Sequence, residues 1–474
     1  MAQRVEHLEP EQRPMAELLK LALPTVAQSV SYTIMQFIDT WMLSKLGTAE
    51  PTAAANAGMF AFSVICFGFG VMLCVNTLVS QSYGAKEFGN CGRYLWQGIW
   101  VGVAYSVLLL PILPLAPHVF GLFGHSEHLR GLEAAYLRIV LMATLFKMIG
   151  TAAGQFLLAT DRPAMVLISA VAGVSVNIVA GWGLIFGRLG MPAWGVAGAA
   201  WAQNIGVFVE MSVLVVFVLA NQARRFNAFD WRPRLEEALR LVRIGVGAGL
   251  QIVADVLAWT LFLVFVMAQI SENAMAANQF MFRYMVVSFM PAVGISQAVT
   301  ALVGRYIGMK RFDVAMQRAN LGFLVAAVYM VACGVVMVVF RYQLIHVFTQ
   351  DATVAKLGAQ LLIFAGAYQV FDAMYVVYNG ALRGAGDTFV PAVVTAALCW
   401  GITVGGGYMI ARHFPSLGVS GPWIACMLYG IILGVFILMR FRRGAWKAIH
   451  LQPQASDASN VPGDSARFSV LTER

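Results

Sequence analysis

Charge is scarce in this sequence. Of its 474 residues only 12% are Asp, Glu, Lys or Arg, against 59% hydrophobic, and the mean hydropathy is +0.73. A water-soluble protein of this length could not cover its surface with so few charges, because the unburied apolar area would drive aggregation. The shortage excludes a soluble globular protein and points to lipid as the solvent. Apolar runs of about 18 residues or more recur along the chain, the length a helix needs to cross the hydrocarbon core.

Other absences narrow the class further. There are six cysteines, Cys66, Cys74, Cys91, Cys333, Cys399 and Cys426, with neither metal-ligand spacing nor the pairing of a disulfide framework, so they read as small core residues. No HExxH, carboxylate-rich metal motif, Ser-His-Asp arrangement or nucleotide-binding loop occurs, which argues against an enzyme. His118 and His346 sit near outer span ends in duplicated positions, which suits packing. Nothing resembles the carbonyl filter of a channel. The net charge of +9 does not mark a nucleic-acid binder, because the positives fall in short linkers and not along one face. The polar start MAQRVEHLEPEQRPMAELLK runs into a long apolar stretch, as an uncleaved first span would.

What is present is a string of about twelve spans. Charge clusters and Gly/Pro turns place them near 21–44, 55–85, 94–123, 136–160, 164–187 and 195–220, then 241–270, 280–308, 319–348, 357–383, 389–412 and 419–441. An even count puts both termini on one side. With the N-terminus cytoplasmic, the inner loops and adjacent ends, including Lys86, Arg162, Lys310 and Arg383, hold twenty Lys and Arg against seven outside. The positive-inside rule then makes both termini cytoplasmic, in a bacterial inner membrane. The expected layout is a cytoplasmic segment 1–20, a first lobe 21–220, a linker 221–240, a second lobe 241–443 and a disordered tail 444–474.

The two lobes echo one another across the linker stretch NQARRFNAFDWRPRLEEALRLVR (221–243). TLVSQSYGAKEF (77–88) aligns with ALVGRYIGMKRF (301–312), His118-Val-Phe with His346-Val-Phe, and GVAGAAWA (195–202) with GVSGPWIA (418–425). These pairs lie 224, 228 and 223 residues apart. A near-constant offset implies two six-helix halves in parallel repeat, an architecture that supports alternating access. The fold class is therefore all-α and polytopic, with two pseudo-symmetric lobes.

An ionisable group deep in a span costs at least about 2–3 kcal/mol by insertion scales, so each one needs a reason. The mid-span acids are Asp39, Asp255 and Asp372, with Glu210 less central; Lys147 is mid-span and Arg283 lies near an outer end. Asp39 and Asp255 stand in the opening helix of each half. A buried carboxylate resists ionisation unless a cation or donors stabilise it, so such a group suits exchange of a proton or capture of Na⁺ among neutral oxygens. The competing reading is a buried salt bridge, Lys147 with Asp39 or Glu210, or Arg283 with Asp255. Tyr368, four residues before Asp372, shares its helix face and is placed to donate to it, and the mid-span amide Asn177 is placed to serve Asp39. With 24 Met and 31 Phe beside these acids, the composition suits a re-packing pocket for organic cations.

LALPTVAQSVSYTIMQFIDTWMLSKLG, LVSQSYGAKEFG, AANQF (276–280) and YNGALRGAGDTFVP (378–391) together resemble the multidrug and toxic compound extrusion (MATE) family, in its NorM-like branch, over about residues 16–443. The resemblance implies a V-shaped twelve-helix monomer that exports cationic or aromatic drugs against a Na⁺ or H⁺ gradient, with no other cofactor. Asp39 matches the family's N-lobe cation-site aspartate and Asn177 its companion amide; Asp372 matches the C-lobe aspartate, with Tyr368 at the accompanying tyrosine. The implied Na⁺ positions are Asp372, Asp255 and Tyr368, or Asp39 and Asn177. Substrate contacts are expected from Asp39, Asp255, Asp372, Glu210 and Gln203. Asp255 stands where NorM-like members usually carry glutamate, which keeps the charge and shortens its reach. Gly181 stands where some relatives have a second N-lobe aspartate and Gln203 where they have threonine, and IGVGAGL (244–250) lacks the proline common there. A lipid-linked precursor flippase of the same superfamily is the alternative. It would want a basic cavity, whereas the mid-span excess here is acidic.

Overall fold

The computed structural model describes residues 13–121, 125–449 and 451. The first half contains α1 (Pro14–Ser44), α2 (Ala49–Gly84), α3 (Phe88–Leu109), α4 (Ile112–Gly121), α5 (Glu127–Met142), α6 (Thr144–Ala159), α7 (Pro163–Phe186) and α8 (Gly195–Phe217). After the short α9 (Ala223–Phe226), the second half holds α10 (Leu235–Leu261), α11 (Glu272–Gly308), α12 (Phe312–Val339), α13 (Arg341–His346), α14 (Ala352–Ala385), α15 (Phe389–Leu398), α16 (Gly407–His413) and α17 (Ser420–Arg443). Among the described residues nine helices are long and apolar enough to cross a membrane, ten with the bent pair Phe88–Leu109 and Ile112–His118. The polar-faced α1 and the broken α5–α6 pair complete the twelve expected spans. Helix exteriors expose Val216, Val328 and Met409, as a lipid-facing surface does.

The helices overrun the apolar windows because capping, and not hydropathy, ends them. Ser271 Oγ accepts from Ala274 N at 3.0 Å to start α11, and Asp351 Oδ1 accepts from Thr353 N at 2.7 Å to start α14. At the other end of α14, Gly386 takes the left-handed turn (φ 85°) that a side chain would resist. Three spans relax into π-helical turns, Val218–Gln222 after α8, Phe262–Met267 after α10 and Cys399–Gly406 between α15 and α16. Pro291 removes one N–H from α11; the carbonyl it orphans, on Val287, accepts from Tyr329 Oη at 3.4 Å.

The repeated motifs meet face to face. A Cβ on Gly84 would lie 1.9 Å from the Arg305 carbonyl, and one on Gly308 would lie 2.0 Å from the Gln81 carbonyl. Both members of each contact are related by the same 224-residue offset. The sequence echo thus marks the pseudo-two-fold seam, where backbones approach too closely for any side chain. A second symmetric contact lies further along: Gly70 against Gly249, and Gly294 against Thr25 and Val26. The opening helix of each half consequently packs on the second helix of the other, α1 on α11 and α10 on α2.

Polar bonds lock the same seam. Thr77 Oγ1 donates to the Arg383 carbonyl at 2.8 Å and Gln81 Nε2 to the Gly384 carbonyl at 2.9 Å. Glu17 of α1 accepts from Arg318 Nε at 2.6 Å and from Tyr306 Oη at 2.7 Å; Arg305 lies 3.5 Å from Asp161. Glu17 falls within the cytoplasmic segment 1–20 expected from the sequence, yet α1 includes it and buries it. Arg383, counted among the inner-loop positives, is likewise drawn into the seam, where Nη2 donates to Thr300 Oγ1 at 3.3 Å.

The stretch between the halves is docked. Trp96 and Trp100 of α3 donate to the carbonyls of Ala228 (2.7 Å) and Trp231 (2.8 Å), and Gln97 bonds both the Arg232 carbonyl and the Arg234 N–H. These side chains satisfy a backbone that has no helix of its own. Helix α10 begins at Leu235, inside the stretch read as linker. The stretch read as a disordered tail also begins ordered: Trp446 is buried and stacks on Phe441 at 5.2 Å, and the Leu451 carbonyl accepts from Arg240. The rest of that tail and residues 1–12 lie outside the described residues.

Candidate functional site

The acids singled out in the sequence fall into two groups, one per lobe. In the C-lobe, Asp255 on α10 receives two phenols: Tyr375 Oη at 2.7 Å and Tyr429 Oη at 3.3 Å. Behind them Gln251, one turn earlier on α10, donates to Tyr375 Oη at 3.0 Å and Thr395 Oγ1 at 3.1 Å, and accepts from Asn379 Nδ2 at 3.3 Å. Three helices, α10, α14 and α17, thus hold one carboxylate. Asp372 is buried on α14 and faces Asp255, with no hydrogen bond among the described residues.

Tyr368 lies beside Asp372 without bonding it. Its ring packs on α17, where a Cβ on Gly430 would meet Tyr368 Cε2 at 2.4 Å. The i, i+4 spacing brought the two residues to one face, but packing aims the phenol elsewhere. The donors the sequence reading missed, Tyr375 and Tyr429, are 120 and 174 residues from Asp255. No spacing rule connects residues so far apart. The one available signal was a set of tyrosines inside apolar spans, each needing a partner for its hydroxyl.

In the N-lobe, Asp39 of α1 lies beside Asn177 of α7 and Tyr136 of α5. Tyr136 Oη donates to Gln203 Oε1 of α8 at 3.1 Å. Asn177 is fully buried and neither of its amide atoms has a hydrogen bond; Asp39 Oδ1 is also buried and unbonded. Buried polar atoms without partners are rare in folded proteins, and here three converge from two helices. Two are oxygens, the donor type that a hard monovalent cation takes. Gly181, one turn beyond Asn177, packs on Met42, whose Cε would lie 2.9 Å from an added Cβ.

Deeper in the same lobe, Tyr32 of α1 donates to Glu210 of α8, and Gln28 donates to Tyr32 Oη at 3.2 Å. Lys147 faces Glu210 but makes no ion pair with it or with Asp39 within 4.0 Å. Arg283 is exposed and makes none with Asp255. The salt-bridge alternative is therefore not how these charges are arranged. Among the described residues no three His, Cys, Asp or Glu side chains converge, so a cation at either group would draw on phenol, amide and carbonyl oxygens as well as carboxylate.

Two repeated six-helix lobes, each with carboxylates at mid-depth and joined along a glycine-lined seam, define a polytopic transporter fold. The MatE family model matches residues 24–182 and 253–409, and the chain belongs to that family. It is 29% identical over 441 residues to the probable multidrug resistance protein NorM of Mesorhizobium japonicum, covering 90% of this chain and 93% of that protein. It is 28% identical over 415 residues to the protein of the same description from Neisseria meningitidis serogroup B, covering 86% and 89%. A solved outward-facing multidrug resistance MATE family transporter superposes with a TM-score of 0.83 at 19% identity, covering 92% of this chain and 97% of that one. A MATE structure in a bent conformation superposes at 0.81, with 19% identity and coverage of 92% and 96%.

Proposed function

We propose that this protein is a secondary active multidrug exporter of the bacterial inner membrane. It exchanges Na⁺ or H⁺ for cationic or aromatic xenobiotics by alternating access. The observation that carries this reading is a carboxylate site inside the spans of each lobe, Asp39 beside Asn177 in one and Asp255 with Tyr375 and Tyr429 in the other. Membership of a family whose relatives are named for multidrug resistance supports a transporter over an enzyme. The excess of Lys and Arg at the Lys86 and Lys310 end puts that end, and both termini, in the cytoplasm. The seam then closes the inner side, and the protein works as a monomer in contact with membrane lipid.

The cycle follows from charge. A cation from outside binds at Asp39 and Asn177, or at Asp255, Asp372 and Tyr368, and neutralises the acid that holds an organic cation. The drug leaves outward. The lobes, 21–220 and 241–443, then rock about the linker, opening the seam, and each state is favoured by what it binds better. The test is uptake of a fluorescent organic cation into everted vesicles under separately imposed Na⁺ and H⁺ gradients. Gradient-driven movement that is lost in Asp372→Asn and Asp39→Asn supports the exchange. No movement under either gradient, with the protein correctly inserted, favours a lipid-linked precursor flippase.

A further inference from the structure

Gln251 and Asp255 stand four residues apart on α10, so both side chains leave one face of the helix. Gln251 is buried among spans, where an amide needs partners for both of its ends. A primary amide has a fixed polarity: its nitrogen only donates and its oxygen only accepts. Here every part is used. Nε2 donates to Tyr375 Oη at 3.0 Å and to Thr395 Oγ1 at 3.1 Å, and Oε1 accepts from Asn379 Nδ2 at 3.3 Å.

That polarity gives the chain of bonds a direction. A phenol carries one proton. Because Tyr375 Oη accepts from Gln251, its own proton is left for Asp255 Oδ2, 2.7 Å away. The order runs from Asn379 through Gln251 and Tyr375 to Asp255, with the carboxylate as the final acceptor. Tyr429 adds a second donor on Oδ1. The titratable groups that face Asp255 are Tyr368, Asp372, Tyr375, Cys399 and Tyr429, none of them a cation. Among the described residues no Lys or Arg pairs with Asp255 within 4.0 Å. Hydrogen bonds alone therefore balance its charge. A protonated Asp255 would bring a second O–H to Tyr375 and leave the phenol proton facing amide hydrogens.

We propose that Gln251 is a positioning residue: it turns the Tyr375 hydroxyl proton onto Asp255 and so keeps that carboxylate a charged acceptor, ready for a cation. Gln251 does not touch the carboxylate and acts through Tyr375. Thr395 shares the amide nitrogen but stands outside the chain that reaches Asp255. For transport this rests on the exporter reading, whereas the charge of Asp255 is measured without it.

Dicyclohexylcarbodiimide adds to a carboxyl group through its protonated form. Its rate of attachment to Asp255 in the purified full-length protein at neutral pH, read by mass spectrometry, is the experiment. Gln251→Met should raise that rate about tenfold, the size of one hydrogen bond to a charged group. Tyr375→Phe should raise it at least as much, and the double variant no further than Tyr375→Phe alone, because both changes break one chain. Thr395→Val removes a partner of the same amide nitrogen and should stay within about twofold. A rise in Thr395→Val equal to that in Gln251→Met would mean loosened packing and overturn the proposal, as would rises that multiply in the double variant. Wild-type Asp255 labelled as readily as Asp372, which has no hydrogen bond, overturns it without recourse to any variant. Vesicle transport reports separately: slow wild-type labelling in a protein that moves no drug would sink the exporter reading and leave the role of Gln251 standing.

Discussion

The two lobes repeat one another in sequence, yet the acid in the opening helix of each, Asp39 and Asp255, is held differently. In the C-lobe, Asp255 is held by phenols from two other helices, with Gln251 ordering one of them. In the N-lobe, Asp39 and Asn177 meet with three polar atoms unbonded. A carboxylate already supplied with donors is positioned before anything binds, whereas one without donors depends on what arrives. The repeat therefore preserved the backbone frame, visible in the mirrored Gly84 and Gly308 contacts, while the sites diverged.

That contrast is most sharply tested by removing charge. Asp255→Asn combined with Asp372→Asn should reduce gradient-driven efflux at least about a hundredfold, since each buried charged contact contributes about 1.5–3 kcal/mol. Vesicle efflux at equal expression measures it, and a double variant that still exports would empty the C-lobe of its role. Asp39→Asn should cost about tenfold in the same assay. A loss as deep as that of the C-lobe pair would show that the lobes contribute equally.

The frame can be broken independently of the sites. Gly84→Ala would set a methyl 1.9 Å from the Arg305 carbonyl, so the seam must part. A destabilisation of about 1–3 kcal/mol is expected from such overpacking, read as a lowered Tm in detergent. Gly89→Ala, at a glycine with nothing within 4 Å of the added carbon, is the matched control and should stay within about 0.5 kcal/mol. The smallest effect separates the two phenols on Asp255. Tyr375→Phe should weaken transport several-fold and Tyr429→Phe less, because the first bond is 2.7 Å and the second 3.3 Å. The reverse order would mean that distance is a poor guide to which donor matters.

Much of the frame was legible in the sequence. Apolar run length and turn residues located the twelve spans, and the offset repeats foretold two lobes, because both signals are local or periodic. The ends of spans were less legible: α11 begins at Glu272, eight residues before the apolar reading, because Ser271 caps it there. The site was half legible. An acid in a span announces itself by its cost, so Asp39, Asp255 and Asp372 stood out. Their partners did not, since Tyr375 and Tyr429 resemble any aromatic core residue until the helices are assembled. Glu17 was hidden for a different reason: at a span end an acid looks solvated, and only the approach of α11 and α12 buries it.

In the proposed exchange, drug and cation move in opposite directions through these carboxylates. Purified protein in liposomes, loaded with an organic cation, should take up Na⁺ or H⁺ as the drug leaves. The triple variant Asp39→Asn, Asp255→Asn, Asp372→Asn should show neither movement. Drug efflux with no cation counter-movement in the wild type, or full exchange in the triple variant, would contradict the account.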